Sequence, residues 1–317
     1  MVSENSSTGH TLVYMFPGQT SRDARMLSRT LEAWPEGRGL VDLASDVLDR
    51  DLLEHINSAD PFVRNRDIQV LVFLTSHLHL MALAAHGYET PYSLGLSLGE
   101  YNHLVHIGAL DFTDALRLVE YRGQCYEASP EGKMVAVWPL EREELAEYVA
   151  QVSKNGRIEI SNYNSPTLHV VAGESGLVDE FATLVEEEAM AMCFPVDQSI
   201  PMHTHIMDPV AEKYAAALAD VPWKPPVYVY RPGVAPDNEV NDPARIPEML
   251  TRHVNRPVYF HDSLMRLLAG ISRPLLVEVG PEKTLSNMVK RFIRTRVLHT
   301  DFPDDGVAQF VLDIQNG

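Results

Sequence analysis

The sequence predicts an α/β fold with a smaller sheet inserted into it, and three observations carry that prediction. Short apolar runs at 12–16, 92–96 and 275–279 read as buried strands, the first and last of them stopping at Pro17-Gly18 and Gly280-Pro281. Helical stretches at 67–85, 98–107 and 112–126 accompany those runs. Between 132 and 199, short strands and helices alternate at lengths that suit a separate small sheet carrying two helices. With 317 residues, 45% of them hydrophobic, the chain can bury a core of this size.

The first run, 12–16, ends at Pro17-Gly18 and reads as a strand entering a loop. The stretch 67–85 is apolar at most positions and has neither Gly nor Pro, so it reads as a long buried helix. Strand 92–96 leads directly into Ser97, and the pattern turns helical from 98 to 107. A further helix spans 112–126, with Asp111 or Thr113 as its cap. Strands are expected at 134–138, 157–162 and 168–172, and helices at 142–153 and 177–191. The proline-rich segment 222–243 should be irregular. Strand 275–279 ends at Gly280-Pro281, and a last helix is expected over 284–295. The implied organisation is a large subdomain from 11–131 and 200–300, a small one over 132–199, and tails at 1–10 and 303–317.

The formal net charge of −18 argues against nucleic acid, whose phosphates require a basic face. Two cysteines, Cys125 and Cys193, make no disulfide framework and fit a reducing cytoplasm. No apolar run approaches the ~20 residues of a membrane span, and 1–10 lacks the apolar core of a secretion signal. A cytoplasmic protein, monomeric by default at this size, is expected.

Gly95-Leu96-Ser97-Leu98-Gly99 fits G-x-S-x-G in a strand–turn–helix context. Such a turn lifts the serine hydroxyl out of the sheet, and its glycines let strand and helix approach closely. It also sets Ser97 at a helix N-terminus, where N–H groups face a developing oxyanion. Phe16-Pro17-Gly18-Gln19, at the end of another strand, is placed to donate a second backbone N–H. A serine hydroxyl is a weak nucleophile without a base. Among 13 histidines, His203 stands in the apolar loop Ile200-Pro201-Met202-His203-Thr204, just after the small sheet. His205 completes an H-x-H pair, but no Cys, His or Asp cluster at ligand spacing supports a metal, and no cofactor is expected.

Phe16-Pro17-Gly18-Gln19, Gly95-Leu96-Ser97-Leu98-Gly99-Glu100-Tyr101, Arg122-Gly123, Asn162-Tyr163-Asn164-Ser165-Pro166, Pro201-Met202-His203 and Glu278-Val279-Gly280-Pro281 occur in one order. That series resembles the malonyl-CoA:acyl-carrier-protein transacylases, including the free-standing acyltransferases of polyketide assembly lines, from about 12 to 296. The resemblance implies an α/β-hydrolase-like large subdomain with an inserted ferredoxin-like small subdomain. It implies ping-pong chemistry: His203 takes the proton of Ser97, the backbone N–H groups of Gln19 and Leu98 hold the oxyanion, and the acyl group passes to the thiol of an acyl carrier protein. Arg122 would pair with the free carboxylate of a malonyl group, for which a guanidinium offers a planar fork.

Three positions depart from the resembling proteins. Leu96 stands where histidine is usual and Tyr126 where methionine is usual; with Arg122 and Asn162 they are expected to border the acyl pocket. His253 stands where Asn or Gln usually orients the catalytic histidine, a role that a neutral imidazole can take by accepting a hydrogen bond. Lys283, Lys290, Arg291, Arg294 and Arg296 gather near the last helix, with Lys290 and Arg294 spaced to share a face, and form an expected docking patch for an acidic carrier protein. Alternatives are transfer of an unusual extender, or of an aminoacyl or dipeptidyl group between carrier proteins; a serine thioesterase, with His299 as a late base; and a non-catalytic carrier-binding protein.

Overall fold

The computed structural model describes residues 9–153, 156–302, Phe310 and Ile314. Its elements in chain order are β1 (Thr11–Phe16), α1 (Met26–Ala33), α2 (Arg38–Leu48), α3 (Leu52–Ile56), α4 (Asn65–Ala85), β2 (Ser93–Gly95), α5 (Gly99–His106) and α6 (Phe112–Glu127). Then come β3 (Lys133–Trp138), α7 (Arg142–Val152), β4 (Ile158–Tyr163), β5 (His169–Gly173), α8 (Ser175–Glu188), β6 (Met192–Asp197), α9 (Asp208–Ala219), α10 (Ile246–Asn255), α11 (Phe260–Leu268), β7 (Pro274–Glu278), α12 (Thr284–Val289) and β8 (Val297–His299). The chain divides into two compact units: Met1–Gly123 with Pro222–Tyr230 and Leu267–Gly317, and Gln124–Val221 with Arg231–Arg266.

The first unit is built on a parallel sheet of order β2-β1-β7-β8. Leu12 to Phe16 are buried on both faces, which is why this strand reads as an unbroken apolar run. Leu12, Tyr14 and Phe16 pack with Leu80 and Leu83 of α4 and with Leu275, Val277 and Val279. Phe310 and Ile314 join that cluster, although they fall in the expected tail; the remaining tail positions 1–8, 303–309, 311–313 and 315–317 lie outside the described residues. Helix α4 is long and apolar enough to cross a membrane, a feature the sequence reading missed. Its buried positions run all the way round, as in the core helix of a folded unit.

Helix α12 stops at Val289, well short of the expected 295. The chain leaves the helix there because 296–299 are drawn to the sheet edge: Leu276 donates its N–H to Arg296 O, and β8 pairs with β7. Tertiary pairing overrides a locally helical composition.

The second unit carries an antiparallel sheet of order β4-β5-β3-β6. Its β-α-β-β-α-β sequence and this strand order make it ferredoxin-like, and α7 and α8 bury one face through Leu145, Val149, Val178 and Phe181 against Val135, Val137, Ile158 and Ile160. The edge strand β6 was not expected, because Pro195 interrupts its apolar pattern; an edge position tolerates that proline. This unit includes 200–221 and 231–266 as well as the segment expected as the small subdomain, 132–199.

Three buried histidines of the first unit, His77, His79 and His103, and the half-buried His106 are held neutral. Burial pushes His77 and His106 down to about 4, and His79 and His103 down to about 3. His79 bridges two buried hydroxyls, Thr30 Oγ1 and Thr300 Oγ1, each at 2.8 Å. In the unfolded chain these rings titrate near 6.5, so below that pH the unfolded state binds more protons than the folded one. Each such histidine contributes stability that is complete above 6.5 and falls by about 1.4 kcal/mol per pH unit down to its folded pKa. The urea midpoint should drop between pH 7 and pH 5, and His79→Gln should flatten that dependence by one proton; an unchanged slope in His79→Gln would contradict this account.

Candidate active site

Ser97, the candidate nucleophile, sits where β2 ends and α5 begins. A Cβ on Gly95 would lie 2.1 Å from the Gly99 carbonyl carbon, and one on Gly99 would lie 2.1 Å from Phe16 O. Only glycine permits strand, helix and the neighbouring β1 to approach so closely. Leu96 donates its N–H to Phe16 O at 2.9 Å, and Ser97 takes φ 51°, in the left-handed region. That sharp turn directs the half-buried Ser97 away from the strand line, as the G-x-S-x-G pattern predicts.

The Pro17–Gln19 loop lies beside it: a Cβ on Gly18 would meet Leu96 O at 3.2 Å and the Ser97 Cβ at 3.9 Å. Arg22 Nη1 donates to Gln19 O at 2.8 Å, and Ser21 Oγ donates to Thr284 Oγ1 at 2.7 Å, so the loop is fixed at two further points. Behind it, Glu278 accepts the N–H groups of Leu285 (2.9 Å) and Ser286 (2.7 Å). Among the described hydrogen bonds, none engages the N–H of Gln19 or of Leu98. Both belong to elements that meet at Ser97, which suits them to an oxyanion.

Arg122 is fully buried, with its guanidinium Nη2 3.4 Å from Ser97 Oγ. Its Nη1 donates to Gln69 Oε1 at 2.7 Å, and Gln69 Nε2 donates to Asn65 Oδ1 at 2.5 Å. The guanidinium also stands 5.7 Å over the ring of buried Tyr101. α6 reaches this position because Gly123 packs against the backbone of Arg66, where a Cβ would fall 2.2 Å from Arg66 Cα. Gln69 and Asn65 were missed in the sequence. The legible signal was a glutamine inside the apolar run Ile68-Gln69-Val70-Leu71-Val72, a polar side chain that must find a buried partner. Just beyond Ser97, buried Glu100 accepts the hydroxyl of Tyr230 at 2.9 Å; burial and that carboxylate hold the phenol well above its usual range.

The second unit holds the candidate base. His203 is 2% exposed, with φ 64°. Its backbone N–H donates to Val254 O at 3.1 Å, and its Nδ1 lies 2.7 Å from the backbone oxygen of His253. A carbonyl only accepts, so Nδ1 carries the proton and Nε2 presents a lone pair. The main-chain carbonyl of His253 thus makes an orienting hydrogen bond with His203. The two rings are tilted, 5.3 Å apart. Tyr126 is buried at the end of α6, and Asn162 is buried at a bulge of β4, accepting from Ser161 Oγ at 2.9 Å.

Of the expected docking residues, Lys283, Lys290, Arg291 and Arg294 are exposed and Arg296 is half-buried. Because α12 ends at Val289, Lys290 and Arg294 do not share a helical face.

Residues 13–308 match the family model described as the acyl transferase domain. The chain is 31% identical over 290 residues to the malonyl CoA-acyl carrier protein transacylase of Bacillus subtilis, covering 89% of this chain and 90% of that protein. It is equally 31% identical to the protein of the same name from Escherichia coli K12 over 289 residues, covering 89% and 93%. Among solved structures, MCAT from Streptococcus pneumoniae superposes with a TM-score of 0.86 at 33% identity, covering 97% of this chain and 100% of that one. A malonyl-transacylase solved in complex with its type II polyketide acyl carrier protein gives 0.88 at 27% identity, covering 97% and 100%. The chain is an acyltransferase and belongs to the family of malonyl CoA-acyl carrier protein transacylases.

Proposed function

We propose that this acyltransferase moves a malonyl group from coenzyme A to the phosphopantetheine thiol of an acyl carrier protein through an ester on Ser97. The observation that carries this reading is the buried Arg122 guanidinium, one hydrogen bond from Ser97 Oγ. Burial strengthens the attraction between a guanidinium and a carboxylate, and the planar fork fixes the geometry of their pairing. Gln69 holds Nη1 and so sets the plane of that fork. A carboxylate at the far end of a short acyl chain on Ser97 would fall within reach of it, whereas an acetyl group brings no charge to meet it.

In this reading His203 Nε2 takes the proton of Ser97 as Oγ attacks the thioester carbonyl. The oxyanion collects on the N–H groups of Gln19 and Leu98. When it collapses, the C–S bond breaks and the coenzyme A sulfur leaves with the proton from His203. The second half repeats these steps in reverse: His203 deprotonates the carrier thiol, its sulfur attacks the ester, and Ser97 recovers its proton. Thioester, ester and thioester are close in free energy, so the protein must chiefly position the groups and keep water out.

Brief incubation with malonyl-CoA should add one malonyl mass to the intact protein, and Ser97→Ala should abolish the adduct. His203→Ala should slow acylation by about 10²–10⁴-fold, the usual worth of a positioned base. Arg122→Ala should lower kcat/KM for malonyl-CoA by about 10–100-fold, the loss of a charged hydrogen bond, while leaving acetyl-CoA little affected; equal losses for both esters would remove the carboxylate clamp. Gln69→Leu should reproduce part of that loss of discrimination. His253→Asn should retain most activity, since the carbonyl that orients His203 survives it. Release of free malonate in preference to carrier loading would point to a hydrolase.

The carrier surface is a separate part of the proposal, supported by the exposed Lys283, Lys290, Arg291 and Arg294 beside α12. Reversing Arg291 and Arg294 to Glu should raise the KM for the carrier protein and spare acylation by malonyl-CoA; unchanged carrier kinetics would place docking elsewhere.

A further inference from the structure

The loop that carries His203 is tied on two sides. On one side are the carbonyls of His253 and Val254, at the end of α10. On the other is Glu159, in β4. Ile158 and Ile160 point into the cluster under α7 and α8, so Glu159 between them faces the opposite side of the sheet. There its Oε2 accepts the backbone N–H of His205 at 2.7 Å, and its Oε1 meets His205 Nδ1 at 2.5 Å. One carboxylate thus fixes both the main chain and the ring of a residue two positions from the candidate base.

These contacts close a ring. Val258, four residues after Val254, donates its N–H to Ser161 O at 2.9 Å and accepts from Tyr163 N–H at 2.8 Å, docking the 253–258 segment on β4. Going round, β4 holds Val258, the chain runs back to the carbonyls of Val254 and His253, these hold His203, and His205 returns to Glu159 on β4. Asp208 adds a parallel tie, accepting from Asn255 Nδ2 at 2.7 Å and Arg256 Nη1 at 2.8 Å, but to the same 253–258 segment and not to the sheet. His203 needs such framing. A non-glycine residue at φ 64° is strained and keeps that conformation only where its surroundings over-determine it.

We propose that Glu159 is a positioning residue for His203: through its two-point grip on His205 it holds the His203 loop at the angle the imidazole needs. The inference rests on His203 being the base of the acyl transfer. A partly exposed side-chain contact of this kind adds little to global stability, so the effect belongs in the rate of the chemical step. Glu159→Gln keeps an oxygen that accepts the His205 N–H, and Glu159→Ala keeps nothing.

The test is the single-turnover rate of Ser97 malonylation by malonyl-CoA in Glu159→Ala, Glu159→Gln and His203→Ala, with the melting temperature of each. Glu159→Ala should lose about tenfold in rate at saturating malonyl-CoA with its half-saturation concentration unchanged, and Glu159→Gln should recover most of the loss. A wild-type rate in Glu159→Ala alongside an impaired His203→Ala overturns the positioning role and leaves the base in place. A wild-type rate in His203→Ala overturns both. Should Glu159→Ala not fold, the wild-type protein decides: the His205 amide should exchange slowly with solvent, and exchange at the rate of a free loop overturns the grip.

Discussion

Everything at the nucleophile depends on three pieces of backbone meeting at contact distance where β1 ends, β2 ends and α5 begins. Gly95 and Gly99 have no room for a Cβ, and Leu96 N–H is engaged by Phe16 O. These constraints force Ser97 into the left-handed region, a strain the buried parallel sheet supports from beneath. The same contact lays the Gly18–Gln19 loop against the turn. The Ser97 hydroxyl and the N–H groups of Gln19 and Leu98 therefore gather at the carboxyl end of parallel strands, where open α/β sheets place their ligands.

The histidine is fixed by a different device. A hydrogen bond from Nδ1 to a main-chain carbonyl selects the tautomer. Because the acceptor is backbone, this hydrogen bond does not depend on which side chain stands at position 253. A carboxylate in that place would stabilise the imidazolium more strongly. In a transfer that begins and ends as a thioester, a base held too strongly protonated gives its proton back less readily to the leaving sulfur, so a neutral acceptor suits both directions.

The buried strands and the nucleophile turn were legible because their signals are local: unbroken apolar runs and a glycine pattern that only one turn satisfies. Arg122 drew attention only as a member of an ordered series of motifs, and His203 as a histidine in an apolar loop just after the small sheet. The features that escaped depend on contacts distant in sequence. Gln69 acquires meaning from Arg122, 53 residues on, and Glu159 from His205, 46 residues on. Strand β6 was hidden by Pro195, which an edge accepts. The last helix was read too long because nothing in 290–296 announces that the sheet edge will capture Val297–His299.

Charge must be weighed locally in this protein. A net charge of −18 suggests repulsion of any acidic partner. At physiological ionic strength, however, exposed charges are screened beyond roughly 8 Å, so an approaching carrier protein responds to the few side chains nearest its path. The exposed cations beside α12 flank Thr284, which bonds Ser21 in the same short loop as Gln19. A carrier drawn to those cations would arrive beside the loop that carries Gln19. Attraction there would set the encounter rate and orientation of such a carrier.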